Sequence, residues 1–171
     1  MNTDIKTTIK KGYDYFNEGY FEDAVEAFSD RLNLKPLDSG IYYARGMAYF
    51  RLKKWKSAIA DFEKARDLDC NDPDNQLGLA LSLAMDNKIY EAIRVYDDLL
   101  AVNPKLVRAH IQLAMLYYCL GAIAKGHWQL DIALAFRPSL SERERIANLK
   151  KEQLLLDKKR YYRPDFEALR G

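Results

Sequence analysis

The chain has 171 residues, of which 49% are hydrophobic and 30% are charged. This composition excludes an intrinsically disordered chain, and the length suffices for one ordinary domain with a sizeable core. The net charge of +2 is close to balance, so no nucleic-acid-binding surface is expected. Two cysteines are too few for a disulfide framework and fit free thiols in the cytoplasm, which is the predicted location.

Apolar and aromatic residues at helical spacing predict four pairs of short helices in chain order. A helix-start signal supports the third pair, because Asp72 precedes a proline at a permitted first-turn position. Gly19, Asn87 and Gly121 sit where first helices end and tolerate the left-handed conformation of a helix stop, whereas Lys53 fills that slot less comfortably. The predicted ranges are 5–17 with 22–34, 39–52 with 56–68, 73–86 with 90–102, and 107–120 with 124–136.

The helix pairs repeat every 34 residues without an insertion, as residues 5–38, 39–72, 73–106 and 107–140. Small residues recur at the eighth and twentieth positions, where they let two helices approach closely. Large residues recur at the eleventh and twenty-fourth positions and supply most of the apolar area that a short pair can bury. The small set is Gly12, Gly46, Ala80, Ala114, Ala24, Ala58, Ala92 and Gly126, and the large set is Tyr15, Tyr49, Leu83, Tyr117, Phe28, Phe62, Tyr96 and Leu130.

This pattern resembles the tetratricopeptide repeat. The resemblance implies an all-α fold, a right-handed superhelical solenoid of helix–turn–helix repeats, in which the first helices line a concave groove. Among the departures from the family pattern, Lys11 and Arg45 stand where the family usually has leucine in the core, and Arg31 replaces a small residue. We therefore expect the first two repeats to be packed more loosely than the last two.

After the repeats, Ser141 and Glu144 predict a capping box that opens a ninth helix over 142–160. Such a helix would cover the stacking face that the last repeat otherwise exposes. We expect His127 and Trp128 to lie beneath it. The sequence thus predicts a solenoid domain over 1–160.

The tail 161–171 follows this helix. The basic residues before it, Lys158 to Arg160, fit a solvated helix end, where cations also suit the helix dipole. RNA binding through this basic end is the less favoured interpretation, and it would be strongly salt-dependent.

The resemblance also assigns a binding face, because positions two, five, nine and twelve of each repeat line the groove in tetratricopeptide proteins. Most of these positions are apolar or aromatic here. A long exposed apolar strip is unusual without a partner, so an extended apolar segment or an amphipathic helix is the expected ligand. The predicted partner-binding residues are Ile9, Tyr13, Phe16, Tyr43, Met47, Phe50, Leu77, Leu81, Arg108, Ile111, Met115 and Tyr118.

Co-chaperones of the family hold the terminal carboxylate of a peptide in a clamp of basic and asparagine residues. The matching positions here are Ile9, Tyr13, Ala44, Asp74 and Gly78. None of them can bind a carboxylate by charge, and Asp74 would repel it. The sequence therefore predicts a groove that does not use this mode.

No catalytic or metal-binding motif is present, and the two histidines, His110 and His127, lie 17 positions apart. The sequence therefore predicts a protein-interaction adaptor or chaperone-like scaffold, not an enzyme, with no cofactor and no metal. The alternative is a self-associating structural or assembly protein, a homo-oligomer, whose groove is occupied by its own or a neighbour's tail. Phe166, Ala168 and Leu169 would then supply the apolar anchors.

Overall fold

The computed structural model describes the backbone of residues 2–161 and the side chains of residues 8–156. Within that range all regular structure is helical, and the predicted all-α repeat class is confirmed. The largest shift from a predicted start is at the first helix, which begins at Asn2. The nine described helices are α1 (Asn2–Glu18), α2 (Phe21–Leu34), α3 (Ser39–Arg51), α4 (Trp55–Leu68), α5 (Pro73–Met85), α6 (Ile89–Val102), α7 (Val107–Cys119), α8 (Ile123–Ala135) and α9 (Leu140–Tyr161).

The chain forms two compact units, Met1–Pro104 and Lys105–Gly171. In the first unit each helix from α1 to α6 packs on the next one, and α3 also packs on α5. In the second unit α7 packs on α8, and α9 packs on both. No helix within the described range is long and apolar enough to cross a membrane. Residues 162–171, which hold nearly all of the predicted tail, lie outside the described residues.

Each repeat turns between its two helices through a residue with left-handed backbone conformation. These residues are Gly19, Lys53, Asn87 and Gly121, with φ between 59° and 89°. The same hydrogen bond closes each turn, and in the first repeat the Tyr20 N–H donates to the carbonyl of Tyr15 at 2.9 Å. This is the helix stop that the sequence predicts, and Lys53 adopts it although it carries a side chain.

Glycines make room for the aromatic rings at the twenty-fourth position. A Cβ built on Gly12 would lie 2.6 Å from Phe28, and one built on Gly46 would lie 3.2 Å from Phe62. Gly78, in the next repeat, also contacts the Phe62 ring, because a Cβ built on it would lie 2.5 Å from that ring. Both rings are fully buried. The small residues therefore fix how closely neighbouring helices approach.

A salt bridge replaces apolar packing at Arg45. Its guanidinium donates to both carboxylate oxygens of Asp61 at 2.8 Å and to the Ser29 hydroxyl at 3.0 Å. The rings of Tyr42 and Tyr49 lie 5.6 Å and 5.9 Å from it. The hydrogen bonds that Arg45 donates to Asp61 raise the pKa of Arg45 above its usual value. At Arg45 a complementary acid therefore replaces the apolar contact that a leucine would make, while the looser packing of the first two repeats stays a prediction.

Arg31 joins the first two repeats in a similar way. It is 4% exposed, and its Nη2 donates to Asp38 Oδ2 at 3.2 Å. Asp38 in turn caps α3, because its other oxygen accepts from the N–H of Ile41 at 3.3 Å. The Nε and Nη1 atoms of Arg31 are buried without a hydrogen-bond partner. This site therefore carries a desolvation cost that the Arg45 site avoids.

The helix α9 begins two residues earlier than predicted. The capping box consists of Ser139 and Glu142: the Ser139 N–H donates to Glu142 Oε2 at 2.8 Å, and the Glu142 N–H donates to Ser139 Oγ at 3.4 Å. The predicted pair, Ser141 and Glu144, is therefore wrong by half a turn. Both pairs have the required spacing, and the helix starts at the pair that directly follows Pro138.

Helix α9 buries one face against α7 and α8. Ile146 is 1% exposed and packs with Ile111 and Leu130. Trp128, expected to lie under this helix, is instead 61% exposed. His127 is half-buried, and its Nδ1 lies 3.1 Å from the Tyr118 hydroxyl.

Candidate functional site

Helices α1 and α3 form a pocket of about 250 Å³ between the first helices of repeats one and two. Its side chains recur at intervals of three or four residues on each helix, so they share one face. Four predicted partner-binding residues meet here, one pair from each helix. The lining residues are Tyr13, Phe16, Asn17, Tyr43, Ala44 and Met47.

Buried aromatic rings hold the two tyrosines of the pocket in place. The Tyr13 ring meets Phe28 edge-on at 5.2 Å between centroids, and the Tyr43 ring meets Phe62 at 5.6 Å. Tyr13 remains 43% exposed. Burial, and secondarily the charge of Asp38, raise the pKa of Tyr13, so its hydroxyl is neutral at physiological pH and can donate a hydrogen bond. The pocket is therefore apolar with polar groups at its edge.

A cation lies beside this pocket. Arg51 is one helical turn beyond Met47 on α3, and its guanidinium lies 4.5 Å from the centre of the Phe21 ring. The Phe21 ring packs on Phe16, a pocket residue, with centroids 5.4 Å apart. Sequence reasoning missed Arg51 and Asn17. The signal was available, because both occupy position thirteen of the repeat, one turn after predicted position nine.

Two predicted groove residues belong to the core. Leu77 is 3% exposed, because α5 packs on both α3 and α4. Ile111 is 1% exposed, because Ile146 of α9 packs on it. Neither side chain offers surface to a partner, so the prediction for these two positions is corrected and they leave the candidate surface.

The remaining predicted residues of the first unit, Ile9, Phe50 and Leu81, do not line the pocket. Ile9 is half-buried against the core cluster that contains Phe28. Phe50 is half-buried and its ring meets Trp55 at 5.1 Å. Leu81 is half-buried on α5. Each of these side chains is partly packed against its neighbours and partly open to solvent.

The predicted residues of the second unit do not form a comparable pocket together; each has its own surroundings. Arg108 is exposed, and Met115 is half-buried with its Sδ 3.4 Å from Nη2 of Arg145 on α9. The ring of Tyr118 packs over Gly126, where a Cβ would lie 2.3 Å from it. The apolar pocket between α1 and α3 is therefore the better candidate site.

We also inspected the histidine, cysteine and acidic side chains outside the pocket. Within the described side chains, no group of three His, Cys, Asp or Glu residues is placed to hold a metal ion. Cys70 and Cys119 are exposed free thiols. His110 is buried, with its Nδ1 2.7 Å from Gln129 Oε1.

Comparison with known proteins supports the repeat assignment. The tetratricopeptide repeat family model matches residues 39–72. Sperm-associated antigen 1 of Mus musculus is 33% identical over 94 residues, which cover 55% of this chain and 10% of that protein. The chain thus spans only a small part of this relative.

Solved structures share the fold. The crystal structure of MamA superposes with a TM-score of 0.72 at 23% identity, covering 84% of this chain and 81% of that one. The first repeat domain of Spaghetti (RPAP3), bound to the HSP90 peptide SRMEEVD, gives a TM-score of 0.63 at 24% identity, covering 68% of this chain and 95% of that one.

Proposed function

Because this chain is a tetratricopeptide-repeat protein, we propose that it is a protein-interaction adaptor that holds an apolar segment of a partner protein between α1 and α3. The observation that supports this proposal is the pocket formed by Tyr13, Phe16, Tyr43 and Met47. Rigid aromatic side chains supply contact area at a low entropic cost, and methionine adapts to differently shaped partners. Such a surface fits a chaperone-like scaffold that does not catalyse a reaction.

The proposed ligand differs from the acidic peptide bound by the Spaghetti (RPAP3) domain. The five positions that match the family's carboxylate clamp contain no basic residue in this chain. At one of them, Gly78, any side chain would collide with the Phe62 ring, since a Cβ would already lie 2.5 Å from it. An arginine or lysine at this position is therefore incompatible with the packing. This argues for recognition of an apolar side chain instead of a terminal carboxylate.

The predicted cytoplasmic location is part of the proposal. Its support is the two exposed thiols, which would be prone to oxidation in a secreted protein. The functional test does not depend on this point.

The proposal is tested by affinity purification with the variant Met47→Lys. An ammonium group in the pocket loses its hydration when an apolar side chain enters, so we expect recovered partner to fall by about tenfold. Leu34→Lys is the matched control, because Leu34 is an exposed apolar residue of the same unit outside the pocket lining. Circular dichroism checks that both variants are folded. Equal partner recovery by a folded Met47→Lys variant would refute the proposed site.

A further inference from the structure

Two polar side chains lie at corresponding positions beside the α1–α3 pocket. Asn17 lines the pocket on α1, and Arg51 holds the same repeat position on α3. Each follows a pocket residue of its own helix by four positions, Tyr13 on α1 and Met47 on α3. Both polar side chains are exposed, and neither forms a hydrogen bond or an ion pair with a described side chain. This edge of the pocket therefore offers an amide and a cation to a ligand.

Ring contacts hold the guanidinium of Arg51 beside the pocket. It lies 4.5 Å from the centre of the Phe21 ring, which packs on the pocket residue Phe16 with centroids 5.4 Å apart. A cation stacked on a ring has already lost part of the freedom that a long side chain gives up on binding. Because no described carboxylate accepts from Arg51, its N–H groups remain for a ligand.

The spacing of these groups fits an extended segment. Four residues of an α-helix rise about 6 Å, which is the separation of Met47 and Arg51 along α3. In an extended chain, residues two positions apart point to the same side and lie about 6.6 Å from each other. An apolar side chain in the pocket would therefore bring the residue two positions away beside Arg51 and Asn17. A carboxylate there gains charge-assisted hydrogen bonds and meets a complementary charge.

We propose that the partner of this pocket is an extended segment with a large apolar residue and, two positions away, an aspartate or a glutamate. The apolar side chain enters the pocket beside Met47, and the carboxylate accepts hydrogen bonds from Arg51 and Asn17. This inference rests on the proposed function, because it uses the same pocket. It adds the class of segment that the partner presents, whose carboxylate belongs to a side chain and not to a chain terminus.

The experiment selects ligands for the purified full chain from a phage-displayed library of random short peptides. Peptides that the Met47→Lys variant also selects are set aside, because they bind outside the pocket. We expect the remaining peptides to share a large apolar residue with an acidic residue two positions away. The Arg51→Glu variant should select lysine or arginine there instead. Lys64→Glu is the matched control, because it makes the same charge change at an exposed residue of α4 and should leave the acidic preference intact.

Fluorescence polarisation of one selected peptide then measures what each group contributes. Arg51→Glu should weaken binding about tenfold, since a charged hydrogen bond is lost and like charges are opposed. Asn17→Ala should weaken it about threefold, the effect of one neutral hydrogen bond. Glutamine in place of the acidic residue of the peptide should weaken binding to the unmodified chain about tenfold. Circular dichroism checks that every variant is folded.

Two results would overturn the inference and leave the proposed function standing. One is a set of pocket-dependent peptides that share an apolar residue without an acidic residue two positions from it. The other is an acidic preference that a folded Arg51→Glu variant retains. Failure of the proposed function has a different signature, because Met47→Lys would then change neither the recovery of a partner protein nor the set of selected peptides.

Discussion

The salt bridge between Arg45 and Asp61 makes a quantitative prediction, because its two residues replace an apolar pair. In the third repeat the same two positions hold Leu79 and Val95. The side chains of Arg45 and Asp61 are 19% and 7% exposed. Removing one partner therefore leaves the other charge largely desolvated. Removing both, and installing the apolar pair of the third repeat, restores a form of packing that the chain already uses.

We expect Arg45→Leu to lower the free energy of unfolding by about 3 kcal/mol, at the lower end of the cost of leaving a buried carboxylate unpaired. Asp61→Val should cost about 1.5 kcal/mol, because Arg45 retains some solvent and its contacts with two tyrosine rings. The double variant should lie within about 1 kcal/mol of the unmodified chain, which gives a coupling of about 3.5 kcal/mol or more. Ser29 stays satisfied because its hydroxyl also donates to the carbonyl of Val25 at 2.7 Å.

Urea unfolding followed by circular dichroism measures all four corners of this cycle. The control is Arg66→Leu, since the pair between Arg66 and Asp67 has side chains 38% and 59% exposed and should contribute less than about 1 kcal/mol. Additive losses in the double variant would contradict the reasoning, because they would mean that the two side chains stabilise the repeat independently of each other.

Two further predictions concern close packing and the start of α9. Gly78→Ala should lower the free energy of unfolding by about 1–3 kcal/mol, because its Cβ would lie 2.5 Å from a fully buried ring. Gly40→Ala is the control and should raise the free energy of unfolding by about 0.5 kcal/mol, because its Cβ meets only one oxygen, at 3.7 Å. Equal effects of the two substitutions in thermal unfolding would contradict this. Ser139→Ala should lower the free energy of unfolding by about 1 kcal/mol through loss of the capping box, and Ser141→Ala by less than about 0.5 kcal/mol. A larger loss for Ser141→Ala in the same measurement would show that Ser141 is the capping residue.

The helices and turns were predictable because their determinants are local. Gly19 and Gly121 mark helix stops wherever the backbone must become left-handed, and Asp72 before a proline marks a helix start. The repeat period then predicted the remaining ends, including the left-handed Lys53, which no local preference favours. The cap of α9 was misplaced because Ser139 and Ser141 both precede a glutamate by three residues, so the sequence contains two equivalent signals.

The depth of the candidate surface was not predictable from periodicity. The repeat frame indicates which face of a helix a residue occupies, but Leu77 and Ile111 share that face with accessible residues and are nevertheless buried. Their burial depends on how neighbouring helices pack, which a single helix does not encode. The Arg45–Asp61 pair could have been predicted from the sequence, because the second repeat has a basic residue at one core position and an acidic residue at the facing position of its second helix. It was missed because the two residues are 16 positions apart and on different helices.

The Phe62 ring has a consequence for how the first unit unfolds. The ring contacts Gly46 on α3, in its own repeat, and Gly78 on α5, in the following repeat. Neither helix can move away from α4 without exposing this ring. Repeats two and three should therefore melt in a single step, and the amides of α4 and α5 should exchange with deuterium at a common rate instead of fraying repeat by repeat.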